Sequence, residues 1–244
     1  MHMDTYTTCI DKLPRDVVVD FTGFYEPFLN PACTDMILYA VDRGHSVRLS
    51  TTVMGLDAEH VARLRHIPFL KFAVHLPDAI NLTRIIVDDR YLAALAALIQ
   101  GGISNIGFHV HEGTSGPQAI HPQVAALLDS AGIEPENRWV LSRAGNIQID
   151  GVPTPERLRG PLKLCPRLYQ NVLMPNGDVA LCCMDWSLRH MIGNLKNSHY
   201  DALFQSDAFK TVLHGHIDDR IDLQCRTCEI ARPLKRREQA AVTG

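Results

Sequence analysis

Five of the seven cysteines in this 244-residue chain fall in two short stretches, and that placement limits its possible folds more than any other feature. The first stretch opens at Cys165 and closes on the pair Cys182-Cys183; the second is Cys225-Arg226-Thr227-Cys228. Between Cys165 and the pair, Val172–Met174 and Val179–Leu181 read as short strands on either side of Pro175-Asn176-Gly177-Asp178, which has turn chemistry. Such a hairpin brings Cys165 and the Cys182/Cys183 pair to one end of a small ribbon. The two-residue gap between Cys225 and Cys228 lets neighbouring thiolates grip one metal centre. Converging sulfur ligands of this kind suit zinc or an iron–sulfur cluster. Two plainer readings compete: cysteine as a small buried hydrophobe, and disulfides, for which nothing in the chain signals secretion.

Composition narrows the class. With 46% hydrophobic and 21% charged residues the chain can bury a sizeable core. A net charge of -3 does not call for a nucleic-acid or anionic-membrane partner. The segment Met1-His2-Met3-Asp4-Thr5-Tyr6 lacks the basic-then-apolar layout of a signal peptide, and no apolar run reaches membrane-spanning length. Cysteines at metal spacing without such a signal fit a cytoplasmic protein.

Before Cys165 the pattern alternates. Thr5–Leu13 reads as a helix ended by Pro14, and Val17–Phe21 as a buried parallel strand. Residues 33–43 put Met36, Ile37, Ala40 and Val41 on one helical face, closed by Gly44. Strands are expected at 46–52, 69–76, 103–111 and 138–141, and helices at 56–67, 88–99 and 118–130. Five strands alternating with helices predict a parallel sheet with right-handed crossovers, whose chemistry lies in the loops after the strands. Those loops and strand ends carry Glu26, Thr51, Thr52, His75, His109, His111, Ser142 and Arg143. His109 and His111 alternate, so they share one face; they read either as a polar lumen facing substrate or as satisfied core histidines. The divisions expected are 1–146, a bridge at 147–164, a cysteine domain at 165–232 and a solvated tail at 233–244.

Cys165-x11-Gly177-x4-Cys182, the later Gly193-Asn194-Leu195, a helical stretch near Leu203–Phe209 and the closing Cys225-x2-Cys228 together resemble the SPASM/twitch extension of radical S-adenosylmethionine enzymes. The resemblance implies an auxiliary [4Fe–4S] cluster on Cys165, Cys182, Cys225 and Cys228, with zinc as the alternative. Cys182 keeps the Gly-x4-Cys spacing and is the ligand expected; Cys183 is its packing neighbour. In the first half, Gly23-Phe24-Tyr25-Glu26-Pro27 after a strand is similar to that family's Gly-Gly-Glu-Pro step, where a carboxylate holds the cofactor's amino group. By the same resemblance Gly23, Glu26, Pro27, Thr52, His75, Ser142 and Arg143 are the residues expected beside S-adenosylmethionine. The fold implied is α/β, an incomplete parallel (β/α) partial barrel followed by a small cysteine-rich hairpin-plus-helix domain.

One departure limits the activity expected. The family's Cys-x3-Cys-x2-Cys, whose thiolates hold the cluster that cleaves the cofactor, occurs nowhere in the chain, and Cys9 and Cys33 stand alone. The chain therefore resembles the C-terminal part of a radical enzyme whose first strand and cluster loop are missing, with S-adenosylmethionine a cofactor of the full-length relative. No radical catalysis is expected of it as given. The expectation is an iron–sulfur protein related to enzymes that modify a peptide or small molecule; the alternatives are a non-catalytic module for cluster binding and peptide recognition, or a structural zinc protein.

Overall fold

A computed structural model describes residues 1–81, 83–113, 116–117, 119–148 and 152–235. Two compact units meet in sequence between Val140 and Leu141.

In the first unit, strands β1 (Val19–Phe21), β2 (Val47–Thr51), β3 (Lys71–His75), β4 (Ile106–Gly113) and β6 (Glu136–Trp139) form a parallel sheet in chain order, as the alternation requires. A short antiparallel strand, β5 (Gly116–Pro117), returns along β4. Helices α1 (Met3–Ile10), α2 (Cys33–Asp42), α3 (Ala58–Leu64), α4 (Asp89–Gln100) and α5 (Pro122–Ser130) intervene. Their starts follow from local chemistry. Asp57 accepts from the His60 N–H and Asp88 from the Tyr91 N–H, each closing a donor the first turn leaves open. Gly44, at φ 87°, ends α2 where expected.

The core lies between these helices and one sheet face, around Ile37, Leu49, Phe72, Val74, Leu95 and Phe108. The opposite face carries charged, small and imidazole side chains in turn. Its rungs are Asp20–Arg48–Lys71, then Ser50–Ala73–Gly107, then His75–His109–Glu136. His75 stacks on His111 with ring centroids 5.0 Å apart, and His109 is only 3% exposed. Burial, then the nearby Arg138 cation, holds the His109 imidazole below its usual pKa and hence neutral.

Several bounds differ from expectation: α1 ends at Ile10 rather than Leu13, β4 starts at Ile106 rather than Ile103, α3 is shorter than 56–67, and the helical stretch expected near Leu203–Phe209 spans the break between helices Tyr200–Leu203 and Asp207–Ile217. Three further differences have a clear physical cause. Val17–Phe21 is not a buried strand: only Val19–Phe21 pairs, on one side, and Asp20 is exposed, as suits a sheet edge. The last parallel strand starts two residues early, because the ladder takes up Glu136 and Arg138 and leaves Trp139 exposed; the apolar run Trp139-Val140-Leu141 had pointed further on. Helix α5 begins at Pro122, which is preset for a first helical position; Gln118, its expected start, lies outside the described residues.

The second unit is built on an antiparallel sheet of β7 (Val172–Leu173), β8 (Asp178–Ala180) and β9 (Met191–Asn194), followed by α6 (Tyr200–Leu203) and α7 (Asp207–Ile217). The hairpin was expected; β9 was not. Gly193 and Asn194 belong to it and Leu195 follows it, for steric and polar reasons. Gly193 has φ 157°, and a Cβ there would stand 2.6 Å from Leu203 Cδ2. The Asn194 amide donates to Asp178 Oδ1 at 2.8 Å, and the Leu195 N–H to the Gly177 carbonyl at 2.8 Å, which locks the turn. The solvated tail expected from 233 does not begin there: Pro233 bridges to Leu162 and the Leu234 N–H donates to the Pro161 carbonyl at 2.9 Å; residues 236–244 lie outside the described set. Among the described residues no helix is long and apolar enough to cross a membrane.

Because Leu203 is buried, a methyl at position 193 has nowhere to go. Gly193→Ala is expected to cost about 1–3 kcal/mol, the usual range for overpacking. A guanidinium unfolding curve with an unchanged midpoint would contradict this packing.

Candidate metal centre

Cys165 caps a 3-10 turn, Pro166–Tyr169, that leads into β7. The Asn171 amide donates to the Leu168 carbonyl at 3.0 Å and to the Leu181 carbonyl at 2.7 Å. It thereby stitches the chain after Cys165 to the chain before Cys182. Cys225 and Cys228 bracket a second 3-10 turn, in which the Cys228 N–H donates to the Cys225 carbonyl at 3.3 Å. The Gln224 amide donates to the Met184 carbonyl, and the Gln224 N–H meets His190 Nε2 at 3.3 Å. Both bonds hold the Cys-x2-Cys turn against the loop after Cys182.

The result is one cavity lined by Cys165, Cys182, Cys225 and Cys228, with apolar walls from Leu168 and Leu181. Cys183 is not among the lining residues. Its Sγ accepts from Arg167 Nη1 at 2.9 Å, and Arg143 Nη1 lies 3.8 Å away. Among the described residues no three His, Cys, Asp or Glu side chains close on a point where one metal ion would be held.

Burial pushes the Cys182 thiol up to about 11, with the neighbouring Cys183 and Cys228 thiols adding to it. Cys225 and Cys228 are also pushed up, again chiefly by burial. The upward shifts favour the protonated thiols, and a metal centre held here would have to displace those protons. Soft donors in an apolar pocket fit an iron–sulfur group.

A second network sits behind the Cys-x2-Cys turn. Arg143, Ala144 and Gly145 have φ of 54°, 60° and 80°, a left-handed turn that L residues adopt at a cost. The Glu229 carboxylate holds it in place, accepting from Ser142 Oγ at 2.6 Å and from the Ala144 N–H at 2.9 Å. Burial raises the Glu229 pKa, but these donors outweigh it and keep the carboxylate below its usual range. Ser142 and Arg143, expected beside a cofactor, are here turned to Glu229 and Cys183. No sequence signal pairs Ser142 with Glu229, 87 positions away.

In the first unit the structure brings Glu26 to Thr51 and Thr52. Glu26 Oε1 accepts from the Phe28 N–H at 3.1 Å and Thr51 Oγ1 at 2.8 Å; Oε2 accepts from the Thr52 N–H and from Thr52 Oγ1 at 2.7 Å. A carboxylate has about four acceptor sites, so all are taken by the chain's own donors. A ligand ammonium would have to displace one of them. Pro27 starts the 3-10 turn that Glu26 caps, and Gly23 has φ 137°. His75 lies with His109 and His111 on the polar sheet face.

Residues 165–229 match the family model of the SPASM iron–sulfur cluster-binding domain. Over that segment the chain is similar to a SPASM domain. Among solved structures, the chain is similar to native anSMEcpe with bound AdoMet, at 10% identity and a TM-score of 0.60, covering 94% of this chain and 78% of that one. It is similar to BtrN in complex with AdoMet and 2-DOIA, at 14% identity and a TM-score of 0.55, covering 98% and 83%. A third, Streptococcus suis SuiB bound to precursor peptide SuiA, has 10% identity and a TM-score of 0.59, covering 92% and 61%. Residues 165–229 thus match the SPASM model, and the chain shares the fold of these solved structures. No curated protein matches it in sequence.

Since the Glu229 carboxylate accepts two of the turn's donors, Glu229→Ala is expected to cost about 1.5–3 kcal/mol, as for hydrogen bonds to a charged group. Thermal unfolding of the variant at the wild-type temperature would show that the turn stands without it.

Proposed function

We propose that the SPASM domain binds one auxiliary [4Fe–4S] cluster through Cys165, Cys182, Cys225 and Cys228. The observation that carries this reading is a single apolar cavity lined by those four thiols. Zinc fits less well. Tetrahedral Zn–S bonds of about 2.3 Å draw four sulfurs close around one point. A cluster instead presents a separate iron to each thiolate, and the family model matched over residues 165–229 is that of an iron–sulfur cluster-binding domain. All the cysteines are free thiols, a state that a reducing cytoplasm maintains.

The parallel-sheet unit supplies recognition in this proposal, and these 244 residues carry out no reductive cleavage of S-adenosylmethionine. Two features support that. The sequence contains no Cys-x3-Cys-x2-Cys, and Glu26 spends its acceptors on Thr51, Thr52 and Phe28. The ligand is a peptide or small molecule; the similarity to SuiB with its precursor peptide and to anSMEcpe with the Kp18Cys peptide favours a peptide.

Purified without oxygen, the protein is expected to be brown and to carry four irons and four sulfides per chain. Serine at Cys165, Cys182, Cys225 or Cys228 should remove that loading, while serine at Cys183 should leave most of it. Colourless protein with one zinc would overturn the assignment, and loss of iron in Cys183→Ser but not Cys182→Ser would reverse the choice of ligand.

A further inference from the structure

His109, in the middle of β4, has its Nε2 buried with no hydrogen-bond partner among the described residues. Its other ring nitrogen is engaged. Arg138 Nε donates to Nδ1 at 3.4 Å, while Glu136 Oε2, 3.6 Å from Nδ1, takes the Arg138 guanidinium at 2.6 Å. The imidazole is neutral, so accepting at Nδ1 puts its one proton on Nε2. His109 therefore carries a buried N–H donor that no described group answers, and such a donor costs free energy until an acceptor meets it.

The rung beside it is built from the smallest side chains. Ser50, Ala73 and Gly107 stand in register across β2, β3 and β4, between the rung of Asp20, Arg48 and Lys71 and that of His75, His109 and Glu136. Side chains alternate along a strand, so the three rungs share one face. A Cβ built on Gly107 would stand 3.5 Å from Cε1 and from Nε2 of His109 and, beyond its chain neighbours, would meet no other described atom within 4 Å. Gly107 is itself only half-buried, so this low rung is reached from outside. Glycine inside a strand weakens it, and one recurring reason for its presence is the close approach of another group. The low rung is a furrow with an imidazole N–H along one side.

The rung on the other side carries Arg48 and Lys71, both exposed. Arg138 pairs in register with His111, one step beyond His109. Across these rungs the cations of Arg48, Lys71 and Arg138 stand against the carboxylates of Asp20 and Glu136, which leaves one positive charge in excess before the imidazoles are counted. A ligand group with acceptor oxygens and a single negative charge matches both the donor and the surplus.

We propose that this furrow binds a carboxylate of the ligand, with the His109 Nε2–H donating to one of its oxygens and Arg48 and Lys71 supplying the balancing charge. This deepens the reading of the parallel-sheet unit as the recognition unit and rests on it. The carboxylate belongs either to an acidic side chain of a peptide or to a small organic acid, and the two sources share the same chemistry at the furrow.

The test follows the ring nitrogens of the full chain by nuclear magnetic resonance, with isotope-labelled histidine and with His109 assigned through His109→Gln. The probes are the blocked peptide acetyl-Ala-Glu-Ala-amide, its Gln counterpart, propionate and inorganic phosphate. The Glu peptide is expected to shift His109 Nε2 saturably and to bind about tenfold more tightly than the Gln peptide, as for a charge-assisted hydrogen bond. Propionate that matches the Glu peptide assigns the furrow to a small acid, and weaker propionate assigns it to a peptide; either supports the proposal. Gly107→Val suits a strand but fills the furrow, and should abolish the shift. Should that variant not fold, Lys71→Gln, a change at an exposed side chain, should still weaken binding about threefold. Equal binding of the Glu and Gln peptides, a shift that survives Gly107→Val, or a stronger response to phosphate than to any carboxylate would overturn the proposal. Shifts confined to other histidines would exclude the furrow and leave recognition by this unit standing; a spectrum that no probe moves would count against both.

Discussion

Thiols that burial makes reluctant to ionise need a cation before they can act as ligands, and the second unit is arranged around that requirement. Desolvation raises the Cys182, Cys225 and Cys228 thiols. Neutral thiols in an apolar pocket are soft donors, and a metal bound there would require them to give up their protons. The surrounding backbone is held by polar side chains that reach across it: Asn171 to two carbonyls, Gln224 to the Met184 carbonyl, Glu229 to the left-handed turn and Arg226 to three carbonyls. Each closes a loop that has too little regular structure to hold a cysteine in place.

The first unit solves a different problem. One sheet face is packed under four helices in the usual way, while the other carries charged residues, small residues and imidazoles in successive rungs. Such a face adds little to an apolar core. Glu26, at the loop end of the sheet, is spent on bracing Thr51 and Thr52. Bracing and recognition can compete for the same carboxylate, and here bracing occupies it.

Much of this was legible in the residues. Strand–helix alternation predicted the parallel order, because a crossover helix leaves an apolar stripe with a period of its own. Gly177 and Gly193 were visible as spaced glycines, and their positive φ angles and the close approach of Lys196 and Leu203 explain the spacing. Long-range polar pairs were not legible. Ser142 with Glu229 and Arg226 with Leu158 and Gly160 obey no periodicity, since their partners are set by tertiary folding. Strand β6 was misplaced for a related reason: its pairing follows Glu136 and Arg138 facing the histidines, and hydrophobic pattern is silent on that.

The central claim is that four sulfurs from a hairpin and a distant Cys-x2-Cys turn bind one multi-iron centre. X-ray absorption at the iron edge of anaerobically purified protein tests it most directly. The account predicts an iron shell of sulfur neighbours together with a short iron–iron distance. An iron edge without that metal–metal contact, or a zinc edge with four sulfurs and no iron, would contradict it.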